Sequence, residues 1–215
     1  MIFVEGGKFT MGDVTYKDNP KHDVTVDAFY IGKFPVTQAL YEKVMGKYAP
    51  RFKGDKRPVE NVSWENAQIF FEKLEKDTGK KYRLPIEAEW ECAARGGIHL
   101  KDNFKYAGGE NLNEFGWYDD NSHGETKPVG MKMENQLGLF DMSGNILEWC
   151  EDWYNKDFYK NRKTENSWRP IKGIIHVVRG GAWNFSENHC SVYNAGNYML
   201  VNFVKRVGFR CVLSN

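Results

Sequence analysis

The chain has 215 residues, 41% of them hydrophobic and 15% aromatic, with 30 Lys and Arg against 29 Asp and Glu. Such a chain builds a real core, which excludes intrinsic disorder, and a formal charge of +1 excludes a broad basic field for nucleic acid. No apolar run approaches the roughly 18 residues of a membrane span, and Met1-Ile-Phe-Val-Glu-Gly-Gly7 lacks the charged start and long apolar run of a secretory signal.

Short strands are expected first, at Val24–Val26 and Phe29–Ile31. Thr37 then reads as an N-cap. Leu40, Tyr41, Val44 and Met45 share the helical face that follows it, and Gly46 is the stop. A second helix begins at Ser63 with an apolar stripe of Ala67, Phe70, Phe71 and Leu74. A third follows Pro85, where Glu87 and Glu89 sit near the positive end of the helix dipole and read as ordinary helix-start charges. From Gly96 to Gly144 apolar periodicity is weak and the chain reads as loop. Two more strands are expected, around Ile175–Val178 and Gly208–Val212. There is no internal repeat and no linker, so the expectation is one α+β domain over 1–215 with few helices, small sheets and much irregular loop. So long a loop requires something to order it, and bound calcium is one means.

The residues with chemical potential are scattered. Cys92, Cys150, Cys190 and Cys211 have neither CxxC nor zinc spacing, so free thiols and a single disulfide both fit. His22, His99, His123, His176 and His189 show no metal-ligand spacing. Trp64, Trp90, Trp149 and Trp183 read as core or loop anchors. Asn61-Val-Ser63 and Asn184-Phe-Ser186 match the short N-glycosylation pattern.

Seven blocks in order carry a family likeness. They are Val4–Gly12, Phe29–Thr37, Pro58–Trp64, Tyr82–Gly97, Gly138–Trp149, Arg179-Gly-Gly-Ala-Trp183 and Gly208-Phe-Arg210. Together they resemble the formylglycine-generating enzyme and sulfatase-modifying factor family, which implies a variant of the C-type lectin fold. Enzymes of that family oxidise a peptide cysteine with molecular oxygen. They use two cysteines five apart that hold copper(I), an ion suited to soft thiolates. Here the second cysteine matches Cys190 and the first falls on Phe185, which ligates nothing. No copper and no catalytic set are therefore expected. By the same resemblance, Asp141 and Glu148 would give calcium two carboxylates, and Gly144 and Ile146 two backbone carbonyls, in a structural site. A second, looser match lies at Asn111 and Leu112.

From Asn184 to Val204, inside a candidate variable ligand-binding region 179–210, the composition changes. Asn184, Ser186, Asn188, Asn194, Asn197 and Asn202 alternate with Phe185, His189, Tyr193, Tyr198, Val201 and Phe203. Aromatics give contact area at little entropic cost and Asn adapts its hydrogen bonds, so residues 184–204 read as a ligand-binding surface. The layout resembles the variable proteins of diversity-generating retroelements, in which adenine mutagenesis recodes Asn codons. That resemblance implies a monomeric bacterial binding protein, displayed at the cell surface or exported, whose partner is a protein or surface ligand. An active oxidase, and a calcium-stabilised binding module without diversification, are the alternatives.

Overall fold

The computed structural model describes residues 1–16, 19–99, 101–154, 173, 175–195 and 205–214. Of the binding-surface residues expected from sequence, Asn197, Tyr198, Val201, Asn202 and Phe203 lie outside these. The strands are β1 (Ile2–Val4), β2 (Gly7–Met11), β3 (His22–Val26), β4 (Phe29–Ile31), β5 (Tyr82–Arg83), β6 (Leu147–Trp153), β7 (His176–Arg179), β8 (Val207–Gly208) and β9 (Val212–Ser214). The helices are α1 (Gln38–Met45), α2 (Trp64–Thr78), α3 (Glu87–Ala94) and the short α4 (Leu112–Phe115).

Local chemistry sets the helix ends. Thr37 Oγ1 accepts from Leu40 N–H at 3.3 Å and Ser63 Oγ from Asn66 N–H at 3.2 Å, each satisfying an orphan donor of the first turn. In α2, Ala67, Phe70 and Phe71 are the buried face, as the spacing predicts. Phe70 and Phe71 meet the ring of Phe209 edge-on at 5.1 and 5.4 Å, which brings the carboxyl-terminal motif against this helix. All eight residues of α3 are buried, so no polar face marks it.

The strands form a four-stranded sheet in the order β1-β4-β9-β5, a β2-β3 hairpin and a three-stranded sheet in the order β7-β6-β8. β4 pairs β9 with Ile31 opposite Val212, so the first and last parts of the chain share one sheet. The strand expected across Gly208–Val212 is interrupted by Phe209–Cys211, where Arg210 is carried into the interior. A Cβ at Gly208 would stand 2.0 Å from the carbonyl oxygen of Val59, so only glycine allows this approach.

The long loop is ordered by asparagine side chains acting as backbone surrogates. Asn145 exchanges two hydrogen bonds of 3.0 Å with the backbone of Lys127. Asn135 donates to the carbonyl of Ala93 at 2.8 Å and accepts from Leu139 N–H at 3.0 Å. Asn111 caps α4 by accepting from Asn113 N–H at 3.2 Å. The Asn135 and Asn145 pairings replace water contacts that a buried loop cannot keep. All four cysteines are free and buried.

Candidate functional site

The site grows from the end of β7. Arg179, fully buried, reaches α3, where its guanidinium pairs with Glu91 and lies 3.4 Å from Glu87. It also stands 5.3 Å over the ring of Trp90 and donates to the carbonyl of Val192 at 2.7 Å. Glu91 accepts two further bonds, from Gly12 N–H at 2.6 Å and from the Asn19 amide at 2.7 Å. Glu87 and Glu89 are therefore not solvated helix-start charges. Glu87 is buried beside Arg179, and Glu89 forms a bidentate pair with Arg83 while accepting from Ile86 N–H. A carboxylate so deep needs a matched cation, which the Arg179 and Arg83 guanidinium groups provide.

After Arg179 the chain turns through Gly180 and Gly181. Gly181 has φ +77°, and a Cβ there would stand 2.7 Å from Cys190 Sγ. This turn seats Cys190, wholly buried, in the cluster that includes Ala182, and burial pushes its thiol up to about 12. Phe185 stands where the resemblance puts the partner cysteine. Its ring is 9% exposed, joins the cluster around Ala182 and Cys190, and meets His189 edge-on at 5.9 Å. A phenyl ring offers no metal ligand, so the position that the resemblance gives to the first cysteine holds no thiolate to pair with Cys190.

Among the described candidates for a binding surface, Ser186, Asn188 and His189 are exposed, Asn184 and Asn194 are half-buried, and Phe185 and Tyr193 are buried. The last two are corrected from surface to core. The apolar neighbourhood of Cys190 takes Phe185, while Tyr193 lies between Tyr16 at 6.0 Å and the Arg95 guanidinium at 5.2 Å. The exposed rim is the 3₁₀ turn Glu187–Cys190 with Ser186 before it. Ser186 Oγ and His189 Nδ1 are 2.8 Å apart, and Lys105 Nζ donates to Asn188 Oδ1 at 2.8 Å. The floor is fixed by buried donors: Arg179 holds the carbonyl of Val192, and the Asn19 amide holds that of Tyr193 at 3.1 Å. Behind the rim stands Tyr106, 1% exposed, its hydroxyl pushed up by burial and by Glu187.

Of the expected calcium ligands, the two carboxylates are already engaged. Glu148 is fully buried and accepts from Trp90 Nε1 at 2.7 Å and from Arg210 Nε and Nη2 at 3.1 and 2.9 Å. Asp141 accepts from Gly130 N–H at 2.8 Å and from the Asn145 amide at 3.1 Å, and burial pushes its carboxyl up to about 6. Gly144, at φ +88°, donates to the carbonyl of Gly180, and its Cβ would strike the carbonyl of Trp117. Ile146 is core. With Arg210 neutralising Glu148, this set does not fit calcium as two free carboxylates, and no role below is routed through the ion.

Sequence reasoning missed Arg179, Glu91 and Asn19 as the floor of the site, and Arg51, Phe52 and Trp183 as a cluster beside it. The signal for Arg179 was present, since a charged residue between apolar strand residues and a Gly-Gly turn calls for a buried partner. Arg51 gave no such signal.

Comparison with known proteins agrees with this geometry. The sequence matches the family described as the sulfatase-modifying factor enzyme 1-like domain over residues 1–215. It is 33% identical to the chaperone protein LppX of Paenibacillus barcinonensis, covering 100% of this chain and 89% of that protein. It is 34% identical to the formylglycine-generating enzyme of Streptomyces coelicolor, but over 63% of this chain and 45% of the enzyme. Among solved structures, Treponema denticola variable protein 1 superposes with a TM-score of 0.85 at 28% identity, covering 100% of this chain and 95% of that one.

Proposed function

The chain belongs to the sulfatase-modifying factor enzyme 1-like family, and on that premise we propose that it is a non-catalytic ligand-binding protein. Its binding surface is the segment 184–204, and its ligand is a protein or a cell-surface component. One observation carries the reading. The two-cysteine copper site of the family's oxidases is reduced here to Cys190, buried as a thiol beside the ring of Phe185. A site without two thiolates cannot hold copper(I) as those enzymes do. Burial of Cys190 also removes the nucleophile that a peptide substrate would have to meet.

The rim supports the same reading. Ser186, Glu187, Asn188 and His189 are exposed on a 3₁₀ turn whose floor is fixed by Arg179 and Asn19. Rigid support beneath exchangeable side chains lowers the ordering cost of binding. The likeness to the treponemal variable protein, over 100% of this chain, supports a surface whose residues are diversified.

That last element is tested in the DNA flanking the gene. The proposal expects a near-copy of the codons for residues 179–210, differing at adenines and lying beside a reverse-transcriptase gene. If no copy exists, diversification is lost and a plain binding module remains. The rival reading, a peptide-cysteine oxidase, is favoured by the retained Cys190 and by the identity to the Streptomyces enzyme. It requires a copper ligand in place of Phe185. His189, the nearest candidate, is turned toward Ser186.

A further inference from the structure

Charge is unevenly spread along the chain. Residues 38–57 carry six cations, Lys43, Lys47, Arg51, Lys53, Lys56 and Arg57, against the two carboxylates Glu42 and Asp55, in a chain whose formal charge is +1. The segment runs through α1 and the loop that joins it to Pro58. Buried side chains fix that loop from beneath. Gln38, 3% exposed, accepts from Gly54 N–H at 3.0 Å and donates to the carbonyl of Phe52 at 2.8 Å. Glu60, fully buried, accepts from Phe52 N–H at 3.0 Å, and its own N–H donates to Tyr48 Oη at 2.9 Å. With the backbone held in this way, Lys47, Lys53 and Lys56 are left exposed.

The same bonds set an apolar step beside the lysines. Ala39 N–H donates to the carbonyl of Asp55 at 3.2 Å, and Arg57 N–H closes a turn onto the carbonyl of Gly54 at 2.8 Å. The first turn of α1 therefore stands against the turn that carries Lys53 and Lys56. Ala39 and Leu40 are exposed there, and Lys43, also exposed, lies one helical turn beyond them on the same face. Among the described residues, no carboxylate lies within ion-pair distance of Lys43, Lys47, Lys53 or Lys56. Arg57 does pair with Glu125 at 3.0 Å, but Glu125 also takes Lys127 at 2.7 Å, so one carboxylate serves two cations. Arg51 is engaged with the rings of Phe52 and Trp183, at 5.1 and 5.2 Å, and is left out of the face.

Four lysines around an exposed leucine fit one kind of partner. A lysine ammonium is a point charge without a planar fork, so it answers a diffuse negative field better than it grips a single carboxylate. Single-stranded nucleic acid needs exposed rings on which bases stack, and the aromatics of this loop, Tyr48 and Phe52, are half-buried. A bilayer rich in anionic lipid supplies both the diffuse charge and an apolar layer for Leu40. We propose that Ala39, Leu40, Lys43, Lys47, Lys53 and Lys56 form a face that docks the protein on an anionic lipid surface. Docking here needs nothing from residues 184–204, so it stands or falls apart from ligand binding at the Ser186–His189 rim.

The test is co-sedimentation of the whole protein with vesicles of phosphatidylcholine, and with vesicles of equal parts phosphatidylcholine and phosphatidylglycerol. Binding to the mixed vesicles alone is expected, and it falls as sodium chloride is raised. Each lysine near the surface contributes about a fivefold factor, so Lys53→Gln with Lys56→Gln weakens binding about 25-fold. Lys73→Gln with Lys76→Gln removes the same charge from the exposed side of α2 and leaves binding nearly unchanged. Leu40→Ser weakens binding without altering its salt dependence. These side chains are exposed, so the variants fold, and circular dichroism verifies this. Equal loss from the two lysine pairs, equal sedimentation with both kinds of vesicle, or none with either, overturns the face. Tighter binding to soluble polyglutamate than to the mixed vesicles overturns the lipid and makes the partner an acidic protein.

Discussion

Phe185 and Cys190 decide the chemistry, and each is open to direct test. The Phe185 ring is packed among Ala182, Cys190 and His189, so Phe185→Ala opens a cavity and costs about 3–4 kcal/mol by denaturant unfolding. A surface residue would cost nearly nothing, and a loss below about 0.5 kcal/mol would return Phe185 to the binding face. The sequence showed that a cysteine was missing, but not which aromatics of the segment face inward, because Phe185 and Tyr193 sit among the same polar neighbours as the exposed residues. Cys190, with its thiol held near 12, is expected to react with an aromatic disulfide reagent only after denaturant is added. His176 offers a pH test. It is stacked between Trp64 at 3.9 Å and Trp153 at 3.7 Å, and burial lowers its pKa. The folded state disfavours its charged form, so its contribution to stability is whole above pH 6.5 and is lost as pH falls through the lower folded value. The melting temperature should therefore drop below pH 6.5, and His176→Gln should flatten that part of the profile. An unchanged slope would place the proton uptake elsewhere.

At the scale of elements, the ion pairs between α3 and β7 join the fold to the site. Arg179 faces Glu87 and Glu91 in the interior, and it also holds Val192. Removing one partner of such a network leaves an unpaired buried charge, so Arg179→Met should cost about 3–5 kcal/mol and loosen the rim. Restoring the charge balance with Glu91→Gln in the same chain should recover part of that cost, as a double-mutant cycle reads directly. Additive losses would mean that the pair is not coupled. The helices α1 and α2 were legible because their caps and stripes are local signals. The helix α3 was placed by Pro85 and its acids, but its burial was not legible, since an all-buried helix has no polar face. The strand β6 went unread because the glycine-rich turn before it and its own Glu148 and Glu151 hide the alternation. The glutamate is interior only because Arg210, 62 residues later, meets it.

For the molecule as a whole, the order of seven motif blocks made the family legible, while the proposed function rests on the cysteine that those blocks lack. The ordering of the long loop shows the same limit. Sequence allowed calcium as its cause, and the structure shows Asn135 and Asn145 acting as backbone surrogates within it. Adding calcium or a chelator should leave the melting temperature unchanged, and a shift of several degrees abolished by Asp141→Asn would restore the ion. The central claim, that the chain binds without catalysing, is tested most directly by an anaerobic copper(I) titration against a chromophoric chelator, on the wild type and on Cys190→Ser. The account predicts superimposable curves, with no copper drawn from the chelator by a Cys190-dependent site. One equivalent of copper withdrawn by the wild type and left behind by Cys190→Ser would contradict it and make the protein an oxidase candidate.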